Sequence, residues 1–550
     1  MDRLTMFFFC AALVLCSAVS VGDAETAQNG TAPLAPGAPP LVFIIPPVEN
    51  VSVMYEKFLP LKEHLEKALS RKIVLKVAQN HQEAVESIGS GRAHLAYFDP
   101  SAYCEAKQRY GVVPLAKPVM DGSSTYTSVI VAREDSPIRK IVEAKGKRLA
   151  LGNSRSSSSS LIPAVMFKEV GITLKDFSAV DYLEQEDRIA LSVLTKRHDL
   201  GGLSERVAMK YLADGLRIVK TSEPIPQYTL CACACLSEGL RSAIRQALLS
   251  IGKTSYPGLI AAMKGIDGFT PAEDRDFDVV RVMIKNLTGK NYLVYGKNTV
   301  KVAHLPLYSA ITLFDRFDPL MRYLSRKTGY EFKLVVPKDF EDFFDIVKRG
   351  EVEFSYSNPY IYIQLADGGH LRAFTTTIIP ASGDIFRGII ITHRDSSIRT
   401  LEDLRGKDVM VVSYKSAGGF LTQKLFLREN GIDVFKDLRL REGKRQEVVI
   451  LNVYRKTADA GFVRESAPEV LKEEIDLRRI RIVAKTAYIA NWPFAATKSA
   501  PEQLTTLVRK SLLEIDDRSI LSAAKVEGFK AADDRDFDGL RERIERYEAK

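Results

Sequence analysis

The sequence repeats itself at long range. GFTPAEDRDFD at 268–278 returns as GFKAADDRDFD at 528–538, with eight of eleven positions identical at an offset of 260. At the same offset REDSPIRKIVEAKGKRLALG (133–152) faces HRDSSIRTLEDLRGKDVMVV (393–412), and near 259 AYFDPSAY (96–103) faces SYSNPYIY (355–362). The matches are colinear, so the chain is predicted to be two tandem copies of one domain, over about 41–288 and 299–550, joined near Leu287–Asn298. A period this long excludes a solenoid. A chain of 550 residues also exceeds what one core usually serves.

Within the first copy short apolar runs alternate with helical stripes. Leu41 to Ile45 reads as a strand, and Tyr55 to Leu69 as a helix with apolar Phe58, Leu61, Leu65 and Leu69 on one face. Ile73–Val77 and His94–Phe98 read as further strands flanking a helix over Gln82–Gly89. This alternation predicts an α/β fold with largely parallel sheets and a ligand crevice at the strands' carboxyl ends.

The first residues, MDRLTMFFFCAALVLCSAVSVGDAE, combine Arg3, an apolar run and small residues at Gly22 and Ala24, which predicts a secretory signal over 1–24 and export to the periplasm. The run is shorter than the ~20 residues of a spanning helix. Residues 25–40, rich in Ala, Pro and Gly, read as a flexible lead-in. No later segment is apolar enough to cross a bilayer. Beyond the signal stand Cys104, Cys231, Cys233 and Cys235. In TLCACACLSEG the last three would share one face of a strand, as buried small side chains, as one partner of Cys104 in a disulfide, or as metal ligands lacking a fourth.

A net charge of +9 is small for this length, and its lysines and arginines are dispersed, so no nucleic-acid partner is expected. Asp274, Asp276 and Asp278 alternate as in a calcium loop, but Val279 and Lys285 stand where the glycine and the distal glutamate belong, so the segment reads as a helix entrance. His198-Asp199 precedes Gly201-Gly202 and reads as a structural turn. No nucleophile elbow, zinc-ligand pair or glycine-rich nucleotide loop is present, so neither an enzyme nor a cofactor is expected.

Five consecutive serines, in GNSRSSSSSLIP (152–163), lie between a predicted strand, Lys147–Gly152, and a predicted helix, Leu161–Val170. Pro163 fits only the first turn, which sets the helix start near Ser159 or Ser160 and leaves Ser156, Ser157 and Ser158 on the preceding loop. Hydroxyls beside the unpaired amides of a helix start could cradle a tetrahedral oxyanion. The alternative is a polar loop with one capping serine.

The order of motifs resembles the phosphate, phosphite and phosphonate substrate-binding proteins of ABC importers. It runs Pro47-Val48-Glu49, PLKEHLEKAL (60–69), Asp99-Pro100-Ser101-Ala102-Tyr103, DSPI (135–138), the serine loop, ALSVL (190–194), Asp199-Leu200-Gly201 and IPQYTL (225–230). The resemblance implies, for each copy, a type II periplasmic binding fold of two α/β lobes closing on a small oxyanion. It also implies an ABC permease as partner and no membrane span in the mature chain. Carried over by position, Ser156, Ser157 and Ser158 would hold the oxyanion with Tyr126, and His81 would stand at a usual aromatic position. Glu186 stands where a histidine is common, and Tyr228 where an acid would meet an ammonium group, which disfavours an aminoalkylphosphonate. In the second copy Ser416 is kept, Phe386 replaces Tyr126, Phe340 replaces His81, Trp492 matches Tyr228, and Lys415 could compensate in charge. That copy is expected either to take a different, aromatic-stacked ligand or to serve as scaffold. The rival reading of the whole chain is a sensor that reports ligand occupancy to a membrane partner.

Overall fold

The computed structural model describes residues 39–47 and 51–548, apart from positions 264, 307, 381, 444, 473 and 474. The expected signal, most of the lead-in and Val48-Glu49 lie outside the described residues.

Each copy has two lobes. In the first lobe of copy one, Leu41–Ile45 lies between the parallel strands Ile73–Val77 and Leu95–Phe98. Thr229–Ala232, returning from the other lobe, pairs antiparallel with Leu95–Phe98 and Val113–Val119, and Gly268–Pro271 adds antiparallel to the edge. The second lobe is a five-stranded sheet in which Arg148–Leu151 pairs parallel with Ala179–Tyr182 and Leu200–Ser204, whereas Ser128–Arg133 runs antiparallel. The sheets are therefore mixed rather than largely parallel. A chain that crosses between lobes and comes back must insert its return strand in reverse. The two crossings, Thr125–Tyr126 and Ile225–Pro226, pair as a two-stranded ribbon that forms the hinge.

Copy two repeats this plan with a six-stranded sheet, a five-stranded sheet and the hinge ribbon Ile385–Phe386 with Ile489–Ala490. Helices start where the pattern predicts, within a few residues. Val51–Leu69 buries Met54, Phe58, Leu61, Leu65 and Leu69, and His81–Gly89 is capped by the Asn80 side chain, which accepts from Glu83 N.

The acidic repeats are helix entrances, as expected. In copy one the Asp276 carboxylate accepts from Glu273 N, ahead of the helix Asp278–Thr288. The same acids join the copies. Asp276 receives Lys117 of copy one at 2.7 Å and Arg322 of copy two at 2.6 Å, Arg275 reaches Asp318 at 3.2 Å, and Lys333 reaches Asp278 at 3.2 Å. Beneath these pairs a continuous apolar core runs from Val280 and Met283 to Leu320 and Leu324. In copy two Arg541 gathers Asp534, Asp538 and Asp367, as Arg281 gathers Asp274 and Asp278 in copy one.

The cysteines depart from expectation. The strand ends at Ala232, so only Cys231 belongs to it; Cys233 and Cys235, in the turn beyond, are bonded to each other. Cys104 and Cys231 are free and fully buried, so the pairing with Cys104 is excluded. His198 contacts Asp181 at 3.0 Å, and Asp199 is held by Arg148, which makes the His198-Asp199 turn structural.

Candidate functional site

The serine run is buried between the lobes of copy one, with Ser157 at 0% and Ser158 at 2% exposure. It is more helical than predicted, because Ser157–Leu161 forms a wide π-type turn that leads directly into the helix Ile162–Glu169. Leu161 N donates to Ser156 O, and Gly152 N donates to Ser159 O, tying the turn to the strand before it. Such wide turns concentrate at functional sites. The helical start therefore lies at Ser157 rather than Ser159, and Ser157 and Ser158 belong to the turn instead of a loop. Ser156 is its cap, since its Oγ accepts from Ser159 N at 3.3 Å and from Ser159 Oγ at 2.8 Å.

Ser157 and Ser158 point different ways. Across the gap, Ser157 Oγ accepts from Ser101 N at 2.9 Å and shares a proton with Ser101 Oγ at 2.7 Å, while Ser157 N donates to Asp99 Oδ2 at 2.8 Å. Asp99 also caps its own helix, its Oδ1 accepting from Ala102 N. Ser158 Oγ stays within the second lobe and donates to Glu186 Oε1, whose other oxygen accepts from Ser204 N at 3.0 Å. The run is thus a latch between lobes on one side and a carboxyl support on the other.

Around this latch stand Tyr126, whose buried hydroxyl faces Ser157 without a hydrogen bond of normal geometry, and His81, whose Nδ1 is buried and unpartnered. Tyr228 closes the wall, stacking on Tyr97 at 5.1 Å with Tyr126 at 6.2 Å. Burial raises the pKa of Asp99, opposed by His81 and by three backbone amides, and burial raises that of Glu186 against its bonds to Ser158 and Ser204. Burial, with Asp99 and Glu186 adding to it, also lifts the phenols of Tyr126 and Tyr228 far above their ordinary value. The structure therefore brings together the expected Ser157, Ser158, Tyr126, His81, Glu186 and Tyr228. It adds Asp99, Ser101 and Ser204, which sequence reasoning missed. Asp99 was visible only as the first residue of its Asp-Pro motif, because its partner lies 58 residues away across a closed gap.

Copy two keeps the frame and changes the lining. Ser416 occupies the capping position of Ser156, its Oγ accepting from Gly419 N at 3.1 Å. It supports the turn instead of facing the cleft. Ala417 and Gly418 replace the two working serines, Asn358 replaces Asp99, and Gln446 replaces Glu186. At the position of Ser204 stands Arg464, whose backbone N–H donates to Gln446 Oε1 as Ser204 N does to Glu186. The Arg464 guanidinium lies 4.0 Å from the Phe386 ring centroid, and a Cβ at position 418 would sit 2.7 Å from that ring. The glycine at 418 thus makes room for the Phe386 ring on which Arg464 lies. Trp492 faces Tyr356 at 5.2 Å and His304 at 6.1 Å. Lys415, expected to supply charge, instead lies over the Phe340 ring. The colinear repeat could have revealed Arg464, since GLSE at 202–205 faces FVRE at 462–465.

Among the described residues no group of three or more His, Cys, Asp or Glu side chains could hold a metal ion, and no helix is long and apolar enough to cross a membrane. Residues 43–277 and 302–537 each match the family described as ABC transporter, phosphonate, periplasmic substrate-binding protein. The tetrathionate sensor histidine kinase TtrS of Salmonella typhimurium is 25% identical over 215 residues, which cover 36% of this chain and 36% of that protein. The chain thus spans about a third of that kinase's length. The phosphate-import protein PhnD of Mycolicibacterium smegmatis is 23% identical over 273 residues, covering 44% of this chain and 84% of that one. Among solved structures, PhnD1 of Prochlorococcus marinus in complex with methylphosphonate aligns at 18% identity and a TM-score of 0.42, over 46% of this chain and 98% of that one. With both copies matched over most of their length, the chain belongs to the phosphonate periplasmic substrate-binding protein family of ABC transporters, as a tandem of two such domains.

Proposed function

We propose that the protein is an exported solute-binding protein whose first copy captures a small phosphonate, phosphite or phosphate-like oxyanion and delivers it to an ABC importer. The observation that carries this reading is the meeting of two buried groups that lack a normal hydrogen bond, Tyr126 OH and His81 Nδ1, with the serine turn between two hinged lobes. Buried polar groups without partners cost about 1–3 kcal/mol each, so they mark where a guest supplies the missing bonds.

Asp99 and Glu186 narrow the guest further. A carboxylate beside an oxyanion repels it unless one of the two carries a proton. A phosphoryl group has a second proton that titrates near neutrality, with a pKa of about 6 for a phosphoester, so a fraction of it carries the proton the contact needs and binding favours that fraction. Fully ionised sulfate carries none. The names of the similar proteins, a phosphate importer and a methylphosphonate-bound PhnD1, agree with this class.

The test is a thermal-shift screen of the full chain with phosphate, phosphite, methylphosphonate and sulfate, since binding stabilises the folded form. The reading expects a shift from at least one phosphorus oxyanion and none from sulfate; a shift from sulfate alone refutes it. A sensor role is the second reading, favoured by the match to the TtrS kinase. Genes for a permease and an ATPase beside this one support import, and a histidine kinase gene supports sensing.

A further inference from the structure

The two clefts carry opposite kinds of ionisable group. Copy one carries two buried carboxyls, Asp99 and Glu186, and copy two carries neither, having Asn358 and Gln446 in their places. What copy two has instead is the Arg464 guanidinium, held over Phe386 and anchored by one bond from Nη2 to Asn491 Oδ1 at 3.3 Å. Its Nε is buried with no partner, and among the described residues no carboxylate lies within ion-pair distance of it. A guanidinium has five donors, and leaving one buried and unpaired costs free energy that a bound anion returns.

The surroundings say what kind of anion. The two turn hydroxyls of copy one are gone, with Ala417 and Gly418 in their place. The wall beside Arg464 is aromatic: Trp492 follows the anchoring Asn491 directly and faces Tyr356, which in turn meets His304 at 5.1 Å and Phe317 at 5.4 Å. His304 Nδ1 bonds to Leu305 O, and burial, with the Arg316 charge adding to it, pushes this imidazole down to about 4, so it is neutral; Arg316 is itself stacked on Tyr308 and Lys415 on Phe340, which leaves Arg464 as the cation beside the wall with an unpartnered donor. A planar fork suits a carboxylate, and an aromatic wall suits a flat apolar body.

We propose that the second cleft is a separate binding site for a small organic carboxylate on a flat apolar body, with Arg464 taking the charge and Trp492 and Tyr356 taking the face. This assignment stands on copy two alone and survives or fails independently of the oxyanion reading of copy one.

The chain offers its own reporter, because Trp492 is its only tryptophan. Intrinsic fluorescence of the full chain is titrated with benzoate, phenylacetate, the neutral isostere benzamide, and methylphosphonate. A saturable change is expected with at least one of the two carboxylates. Charged hydrogen bonds of the usual strength make the midpoint about tenfold or more higher for benzamide on the wild-type protein and for the carboxylate on Arg464→Gln. Ser157→Ala should leave the midpoint unchanged. The benzamide comparison needs no variant, so it decides even if Arg464→Gln fails to fold. The proposal is overturned if neither carboxylate changes the emission, if benzamide matches them, or if methylphosphonate produces the saturable change instead.

Discussion

Replacing Ser157 by alanine should loosen the closed form of copy one specifically. The hydroxyl is fully buried and accepts from Ser101 N at 2.9 Å while sharing a proton with Ser101 Oγ at 2.7 Å. Both bonds cross from one lobe to the other. In the open form water serves all these groups, so their loss falls on the closed form alone. A buried amide left unsatisfied costs about 1–3 kcal/mol, which moves the open–closed equilibrium about five- to 150-fold toward open. Oxyanion affinity should fall by up to the same factor, because the guest binds the closed form and the apparent affinity follows its population. Ser158→Ala is the control, since its hydroxyl donates to Glu186 inside one lobe and leaves the latch intact. Small-angle scattering should show a more extended ligand-free average for Ser157→Ala than for Ser158→Ala, and calorimetry should show weaker methylphosphonate binding. Equal scattering and equal affinity in wild type and Ser157→Ala would refute the latch argument.

Glu186 titrates above the ordinary carboxyl range because of burial, so it stabilises the fold at low pH and that contribution is lost as pH rises through the raised pKa. Glu186→Gln should therefore melt higher than wild type in alkaline buffer, the advantage vanishing toward acid; scanning calorimetry across pH reads this directly. Burial works to raise Asp276, but Lys117, Glu273 N and Arg322 hold it below its ordinary value, so its stabilisation is present at neutral pH and is lost as pH falls through that lowered pKa. Asp276→Asn, which removes one of the ion pairs between the copies, should cost about 2–4 kcal/mol at neutral pH, read by denaturant unfolding, with the cost vanishing toward acid. Arg464→Met removes a half-buried cation whose Nε is buried without a partner and should raise the melting temperature of the ligand-free chain, a gain of about 1 kcal/mol.

Much of this architecture could be read from residue order alone. The offset of 260 located both copies, and the alternation of strand and helix gave the α/β class. What the order of residues hides is direction and closure. Nothing local in TLCACAC shows that its strand runs against its neighbours, because orientation depends on where the chain returns from the second lobe. Nor does it show that Cys233 and Cys235 lie beyond the strand end and join each other. The serine run was legible as a helix entrance rich in hydroxyls, but the division of labour within it was not. Ser156 caps, Ser157 latches and Ser158 supports Glu186, and each role is fixed by a partner brought up only by folding. Arg464 was hidden for a different reason. An arginine at a strand end reads as a surface charge until the repeat shows a serine in its place, one whose backbone N–H meets Glu186.

The most direct measurement is a calorimetric titration of the full chain with methylphosphonate, repeated on the double variant Ser157→Ala/Ser158→Ala and on Arg464→Gln. The account requires one site per chain, lost or weakened by several kcal/mol in the serine variant and retained in Arg464→Gln. Undiminished binding in the serine variant, with loss in Arg464→Gln, would place the oxyanion in the other cleft and contradict it.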